Sequence, residues 1–283
     1  MARSKSEGLV EKAEKLKALH RPGNPLVLAN VWDVATARVV EEAGAEAIAT
    51  TSAGVAFASG YPDGERIPRD RMLAAIATVC SSVSVPVTAD VEAGYGPTPE
   101  DVHVTVRGVL DAGAVGINLE DGGAPGTLVD LPRQIEKVRA AREEADRRGV
   151  PLVLNARTDV FLDRIGPESG RLEEAVRRGA AYRDAGADCV FVPGVTDAET
   201  IGALVERLRC PVNVLAGAGS PAVPELARLG VARVSLGSGP VRAALTLMRR
   251  LVEELHDRGT YSALDGIRSH ASVNELMEPP RGL

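Results

Sequence analysis

One joint recurs along the chain. Glu41-Glu42-Ala43-Gly44-Ala45, Leu110-Asp111-Ala112-Gly113-Ala114 and Arg183-Asp184-Ala185-Gly186-Ala187 are near copies, and Arg228-Leu229-Gly230-Val231 is a looser fourth. In each, a helical pattern ends, glycine supplies a left-handed cap, and an apolar strand pattern begins at once. The copies are spaced by about 70, about 70 and about 45 residues, that is, by one or two units of roughly 35 residues. Apolar runs at 26–30, 45–51, 86–91, 114–120, 152–157, 188–193, 211–216 and 232–237 alternate with helical stretches at 34–42, 69–82, 99–111, 132–148, 171–184, 198–207, 222–229 and 240–256. Asp33, Thr98-Pro99-Glu100, Asp197 and Ser220-Pro221 read as helix starts. Eight strands, each followed by a helix, predict an α/β fold of the (β/α)8 TIM-barrel type. A doubly wound sheet would want a GxGxxG turn after the first strand, where the chain has Asn30-Val31-Trp32-Asp33. An amphipathic helix over 4–18, with Leu9, Ala13, Leu16 and Leu19 near helical spacing, precedes the barrel. The expectation is one domain over 1–283, with its core at about 20–256. The polar, Gly- and Pro-containing segment 257–283 forms a tail that is loose or packs on a neighbouring subunit.

Composition closes several routes. A net charge of −6 argues against nucleic acid as a partner, because neutralising phosphates needs a basic face. No apolar run approaches the ~20 residues of a membrane span, and the polar start of the chain is no signal peptide. Cys80, Cys189 and Cys210 lie far apart and form no CxxC pair, as in a reduced protein of the cytoplasm. Aromatics are only 3% of residues, which suits close packing of small side chains between helix and sheet.

The chemistry gathers where apolar strands end. Pro86-Val87-Thr88-Ala89 runs into Asp90-Val91-Glu92 before Gly94-Tyr95-Gly96 turns the chain away. Asp90 and Glu92 are two apart and, on an extended strand, would leave the same face. Val115-Gly116-Ile117-Asn118-Leu119 ends in Glu120-Asp121, and Leu152-Val153-Leu154-Asn155-Ala156 ends in Arg157-Thr158-Asp159. In a barrel these ends share one face, where the active site lies. The long connection over 51–68, with Ser52 and Asp63, joins that face. Three carboxylates without histidine or thiolate suit a hard cation with oxygen ligands, Mg²⁺ or Mn²⁺. Arg157 would offer a fork for a substrate carboxylate or phosphonate. Metal and arginine together would stabilise an enolate beside a carboxylate.

These residues resemble the isocitrate lyase and phosphoenolpyruvate mutase superfamily over about 20–256. The likeness rests on Thr51-Ser52-Ala53-Gly54, Gly60-Tyr61-Pro62-Asp63, Asp90-Val91-Glu92-Ala93-Gly94-Tyr95-Gly96, Ile117-Asn118-Leu119-Glu120-Asp121 and Asn155-Ala156-Arg157-Thr158-Asp159. The resemblance implies an Mg²⁺-dependent barrel acting on 2-oxo or 2-hydroxy carboxylates through an enolate, in a tetramer whose last helix swaps with a neighbour. It implies metal acids at Asp90, Glu92 and Glu120, a loop aspartate near the reacting bond at Asp63, and a carboxylate-binding arginine at Arg157. It also implies that Ser52 and the following amides of Ala53 and Gly54 hold the substrate carboxylate. The chain departs from the family after the fourth strand. Isocitrate and methylisocitrate lyases carry Lys-Lys-Cys-Gly-His there, and phosphoenolpyruvate mutase a gating loop with Lys and Asn. Here stand Gly122-Gly123-Ala124-Pro125-Gly126-Thr127. After strand six the lyases' Pro-Glu is replaced by Val192-Pro193-Gly194.

A lid without charge points to a lyase or decarboxylase of an oxaloacetate-like acid, which needs least added acid–base chemistry. Cleavage of a P–C bond, by a phosphonomutase or phosphonopyruvate hydrolase, is the alternative within the superfamily. The glycine turns at 216–220 and 237–239 leave a phosphosugar aldolase or isomerase as a reading from another class, although no lysine ends strand six for a Schiff base. A non-catalytic binding protein would not need the full set of Asp90, Glu92 and Glu120. His103, mid-helix among valines, reads as packed and not as a ligand.

Overall fold

The computed structural model describes residues 5–278. In chain order the elements are α1 (Lys5–Ala18), β1 (Leu26–Leu28), β2 (Asn30–Val31), α2 (Val34–Glu42), β3 (Ile48–Thr50), α3 (Ser52–Ala58), α4 (Arg69–Ser82), β4 (Val87–Asp90), α5 (Pro99–Ala112), β5 (Gly116–Glu120), α6 (Leu131–Arg147), β6 (Val153–Arg157), α7 (Glu168–Asp184), β7 (Cys189–Phe191), α8 (Ala198–Leu208), β8 (Val212–Leu215), α9 (Val223–Arg228), β9 (Arg233–Ser235), α10 (Gly239–Arg258) and α11 (His270–Met277).

All strand pairings are parallel, in the order β1-β9-β8-β7-β6-β5-β4-β3-β2. The two outermost strands are halves of one: β1 pairs with β9, β2 pairs with β3, and only Ala29 separates them. The sheet therefore closes on itself with eight strand positions, the (β/α)8 barrel expected from the spacing of the joints. The joints behave as read. Gly44, Gly113, Gly186 and Gly230 all take positive φ, from 87° to 111°, where a left-handed cap favours glycine. Asp33 and Thr98 make capping boxes, and Asp197 caps α8 through Thr200 N. Ser220 does not cap a helix. Its Oγ accepts from Gly217 N, and α9 begins after Ala222 without a side-chain cap.

Two features were hidden in the sequence. The connection after β3 starts with a short helix, α3, directly on the strand end. The tail carries α11, docked on this chain's own α2, where Arg38 Nη1 donates to Leu276 O at 3.1 Å and to Glu278 O at 2.7 Å. Residue 4 of the expected first helix and residues 279–283 of the tail lie outside the described residues. The core is built from the apolar strand residues and the facing helix stripes; Leu16, Leu28, Ile48, Ile76, Ile117 and Leu154 are fully buried. Helix α1 lies across the amino ends of the strands, with Leu16 buried and Lys17 Nζ 2.8 Å from Asp188 Oδ1, just ahead of β7. The opposite, carboxyl face is left for the site.

Candidate active site

Asp90, Glu120 and Arg157 are the last residues of β4, β5 and β6, so the sheet itself brings them together. Asp90 is held on both oxygens. Its Oδ2 accepts from Ser52 N (3.0 Å) and Ser52 Oγ (2.7 Å), and its Oδ1 accepts from Asn118 Nδ2 (3.0 Å). Asn155 Nδ2 in turn donates to Asn118 Oδ1 at 3.0 Å, a chain of amides across the barrel interior. Ser52 and Ala53, in the first turn of α3, line the cavity, while Gly54 N is turned to the capping Thr51 Oγ1 at 3.4 Å. In this geometry Ser52 fixes a carboxylate of the protein.

Glu92 reaches the site by another route than the expected alternation of a strand. The strand β4 stops at Asp90, and Glu92 takes a left-handed φ of 52°. Gly94, Tyr95 and Gly96 also have positive φ, so four of five residues leave the ordinary region. Non-glycine residues are held there only when their surroundings insist. Gly96 is obligatory: at φ 154° an added Cβ would sit 2.2 Å from Asp101 Cγ. Glu92 is 3% exposed and accepts from the backbone N–H of Glu65, while Tyr95 N donates to Glu65 Oε1 at 2.5 Å. These bonds tie the loop that carries Asp63 to the loop that carries Glu92. Asp63 itself stands at the mouth of the cavity.

Arg157 does not present a free fork. Its Nε and Nη2 donate to Asp159 Oδ1 (2.5 Å) and Oδ2 (3.1 Å), its Nη1 lies 2.7 Å from Glu120 Oε2, and its guanidinium lies over Phe191 at 5.8 Å. Asp159 is anchored in turn: its backbone N–H donates to Asp121 Oδ1 at 2.9 Å, and Asp121 Oδ2 accepts from Tyr182 Oη (2.5 Å) and Arg178 Nη1 (3.1 Å). Asp121 and Asp159 were visible in the quoted motifs, but nothing in their spacing gave them a role. Asn118, Asn213 and Arg233 line the same cavity; Asn118 stood in a quoted motif without a role, and Asn213 and Arg233 went unnoticed because they sit inside apolar runs.

The acids crowd one another. Burial, then the nearby Asp90, pushes the Glu92 carboxyl up to about 7. Burial pushes Glu120 well above the carboxylate range against the pull of Arg157, with Asp159, Asp90 and Glu92 adding to the rise. Asp63 is also raised, by burial and then by Asp90. Burial alone works against the charge of Arg157, but Glu120 and Asp159 hold it above its ordinary value. Such a set stores a demand for positive charge. Among the described residues no three acid, histidine or thiol side chains close around one point as a ready-made metal cage. The donors are oxygens only, and a cation that keeps several waters and takes one or two carboxylates directly fits them.

The cavity holds about 230 Å³, bounded by Ser52, Asp63, Asp90, Arg157, Asn213 and Arg233 among others. The connection between β5 and α6 is a tight turn bonded to itself, Gly123 N to Thr127 O (3.0 Å) and Thr127 N to Ala124 O (2.9 Å). Among its residues 121–130 there is no lysine, histidine or cysteine. His103 is buried in α5 beside Glu143 and Glu144, a packed residue as expected. No helix among the described residues is long and apolar enough to cross a membrane.

Residues 16–256 match the family model described as phosphoenolpyruvate phosphomutase. An uncharacterised protein of Mycobacterium tuberculosis (strain H37Rv) is 37% identical over 227 residues, covering 80% of this chain and 83% of that protein. An oxaloacetate decarboxylase of Bradyrhizobium sp. (strain BTAi1) is 28% identical over 88% of this chain and 86% of its own length. A phosphonopyruvate hydrolase, solved with oxalate and Mg²⁺, superposes with a TM-score of 0.80 at 26% identity, covering 94% of each chain.

Proposed function

Given that the chain belongs to the phosphoenolpyruvate phosphomutase family, within the isocitrate lyase and phosphoenolpyruvate mutase superfamily, we propose that it is an Mg²⁺-dependent lyase. It cleaves a C–C bond of a small, oxaloacetate-like 2-oxo or 2-hydroxy carboxylate through an enolate. The family's members named above act on small carboxylates as a lyase and a hydrolase. The observation that carries the reading is the knot of raised carboxyls, Asp63, Glu92 and Glu120, packed around Asp90 and answered by Arg157.

Asp90, Glu92 and Glu120 would hold the Mg²⁺ ion, partly through water. When bound, the ion supplies positive charge for the substrate oxygen that turns anionic as the bond breaks. The chain's own residues do the rest. Ser52 and Asn118 fix both oxygens of Asp90, so this ligand pays little reorganisation when a cation arrives. Asp159 holds Arg157 in one orientation beside Glu120, keeping a fixed cation where enolate charge would develop. Asp63, at the mouth with a raised pKa, is placed to return a proton to the carbon left by the departing fragment. The turn over 122–129 carries no ionisable side chain and adds no second acid or base, which favours a reaction whose leaving group is carbon dioxide or a similarly small fragment.

The chain would work in the cytoplasm as a homo-oligomer. Helix α10 supports the latter: Leu245, Leu247, Met248, Val252 and Leu255 are all about half exposed, and only Val241 of its twenty residues is buried. The P–C reading is supported by the phosphonopyruvate hydrolase likeness. A time course followed by proton and phosphorus NMR, with oxaloacetate and phosphonopyruvate in separate samples, separates the two. Mg²⁺-dependent loss of oxaloacetate beyond the protein-free rate supports the lyase, and loss of phosphonopyruvate alone replaces it with the P–C reaction.

A further inference from the structure

Glu65 has no part in the chemistry above, yet two loops of the site meet on it. Its backbone N–H donates to Glu92 Oε2, and its own Oε1 accepts from Tyr95 N at 2.5 Å. The two bonds run in opposite senses to partners 27 and 30 residues away, so main chain and side chain of one residue grip the same turn. The second oxygen of Glu92 accepts from Tyr95 Oη at 3.4 Å, which closes a ring of Glu65, Glu92 and Tyr95. Glu65 and Glu92 both lie in the left-handed region, at φ 56° and 52°. Non-glycine residues stay there only when their surroundings hold them, and here each loop holds the other's strained residue. The charges of Glu65 and Glu92 repel, so the pair needs cations to answer it. Lys137 of α6 is 2% exposed and donates to Gly96 O at 3.3 Å, and Arg69 donates to Tyr95 O. Both cations are near enough to act on Glu65, and Glu65 is the acid that acts most strongly on Lys137. Asp63 is two residues away, across Gly64 at φ 92°, and stands at the cavity mouth.

We infer that Glu65 is a positioning residue that ties Asp63 to Glu92, so that cation binding at Glu92 and closure of the Asp63 loop are coupled. Glu65 stays outside the lining of the cavity and acts through these two residues. The inference rests on the metal reading above and adds a link between a ligand of the cation and the loop that carries the acid. Such coupling is reciprocal: a closed loop that favours the cation is favoured by the cation to the same extent.

The Arg66–Ile67 bond reports on closure. Arg66 is exposed but Ile67 is 1% exposed, so trypsin can cut there only when the segment is drawn out. In the full-length wild-type protein, Mg²⁺ should slow cleavage at this bond at least about fivefold, followed by mass spectrometry. Glu65→Ala should weaken Mg²⁺ binding about tenfold by titration calorimetry and cut the protection by Mg²⁺ to less than about twofold. Glu65→Gln keeps an acceptor for Tyr95 N and should recover most of both. A residue that only stabilises the fold would lower the melting temperature of Glu65→Ala and leave its Mg²⁺ affinity and protection unchanged, which would overturn the inference. Should Glu65→Ala fail to fold, hydrogen exchange of the wild type decides. Mg²⁺ should slow the amides of Glu65 and Tyr95 together, and slowing of Tyr95 alone would overturn the inference. Mg²⁺ binding by the wild type without protection of Arg66–Ile67 overturns the coupling and leaves the metal reading standing. Absence of Mg²⁺ binding by the wild type overturns both.

Discussion

Asp90 is the residue on which the site turns, because both of its oxygens are fixed by neighbours before any cation arrives. Asp90→Asn keeps the shape and removes the charge; turnover should fall about 100-fold or more with the melting temperature little changed. Glu92 gives a pH signature. Its folded value, about 7, lies above the ordinary 4.5, so the metal-free protein binds a proton more tightly than the unfolded chain. The stability from this group is complete below about pH 4.5 and is lost as pH rises through about 7, up to about 3 kcal/mol. A cation that needs the ionised form should therefore bind about tenfold more tightly at about pH 8 than at about pH 6. Calorimetry in two buffers of different ionisation heat would also read the released proton, and flat affinity across that range would count against Glu92 as a ligand. Asp90, Glu120 and Arg157 could be read from the sequence because a strand that ends in charge announces itself. Glu92 comes beside Asp90 by another route than the alternation expected for it, since it lies beyond the strand in a left-handed turn. Arg233 was missed because Ala232-Arg233-Val234-Ser235 looks like any alternating strand, and only closure of the barrel reveals which way it faces.

At the scale of elements, the helices were legible and the connections were not. Asp33, Thr98 and Asp197 announce helix starts through local bonds, and α2 and α4 fall where periodicity places them. The helix α3 was hidden because Ser52-Ala53-Gly54 carries no long apolar period. The anchoring of Asp159 by Asp121, Tyr182 and Arg178 joins β5, β6 and α7 across the chain, which no local pattern encodes. Tyr182→Phe leaves Asp121 with Arg178 and should cost about 1–2 kcal/mol in chemical denaturation; a change in substrate affinity without loss of stability would contradict this role. The turn that follows α1 carries its own pH dependence. His20 donates from Nδ1 to Leu16 O at 2.8 Å, and burial, then Arg233, lowers its pKa from 6.5 to about 4. Its neutral form stabilises the fold fully above about pH 6.5, and that stability is lost as pH falls through about 4, a change of about 3 kcal/mol. His20→Gln should flatten the acid limb of the stability curve, and an unchanged limb would place the acid sensitivity elsewhere.

For the whole molecule, eight apolar runs alternating with helical stretches gave the strand count, and the repeated Ala-Gly-Ala joint supported it, because each copy marks one helix handing over to one strand. The split of the first strand at Ala29, and with it the closure between β1 and β9, needed the fold. The exposed apolar residues of α10 belong to this scale as well. In solution the chain should run as a dimer or tetramer by light scattering, and a monomer at micromolar concentration would remove the oligomer from the account. The proposed function rests on a cation that Asp90, Glu92 and Glu120 would gather. The most direct test is the rate of oxaloacetate loss, corrected for the protein-free reaction that Mg²⁺ itself promotes, with Mg²⁺ and again after EDTA. Turnover should disappear with EDTA, return with Mg²⁺ and fall about 100-fold or more in Asp90→Asn. Turnover that persists unchanged in EDTA would contradict the proposed function.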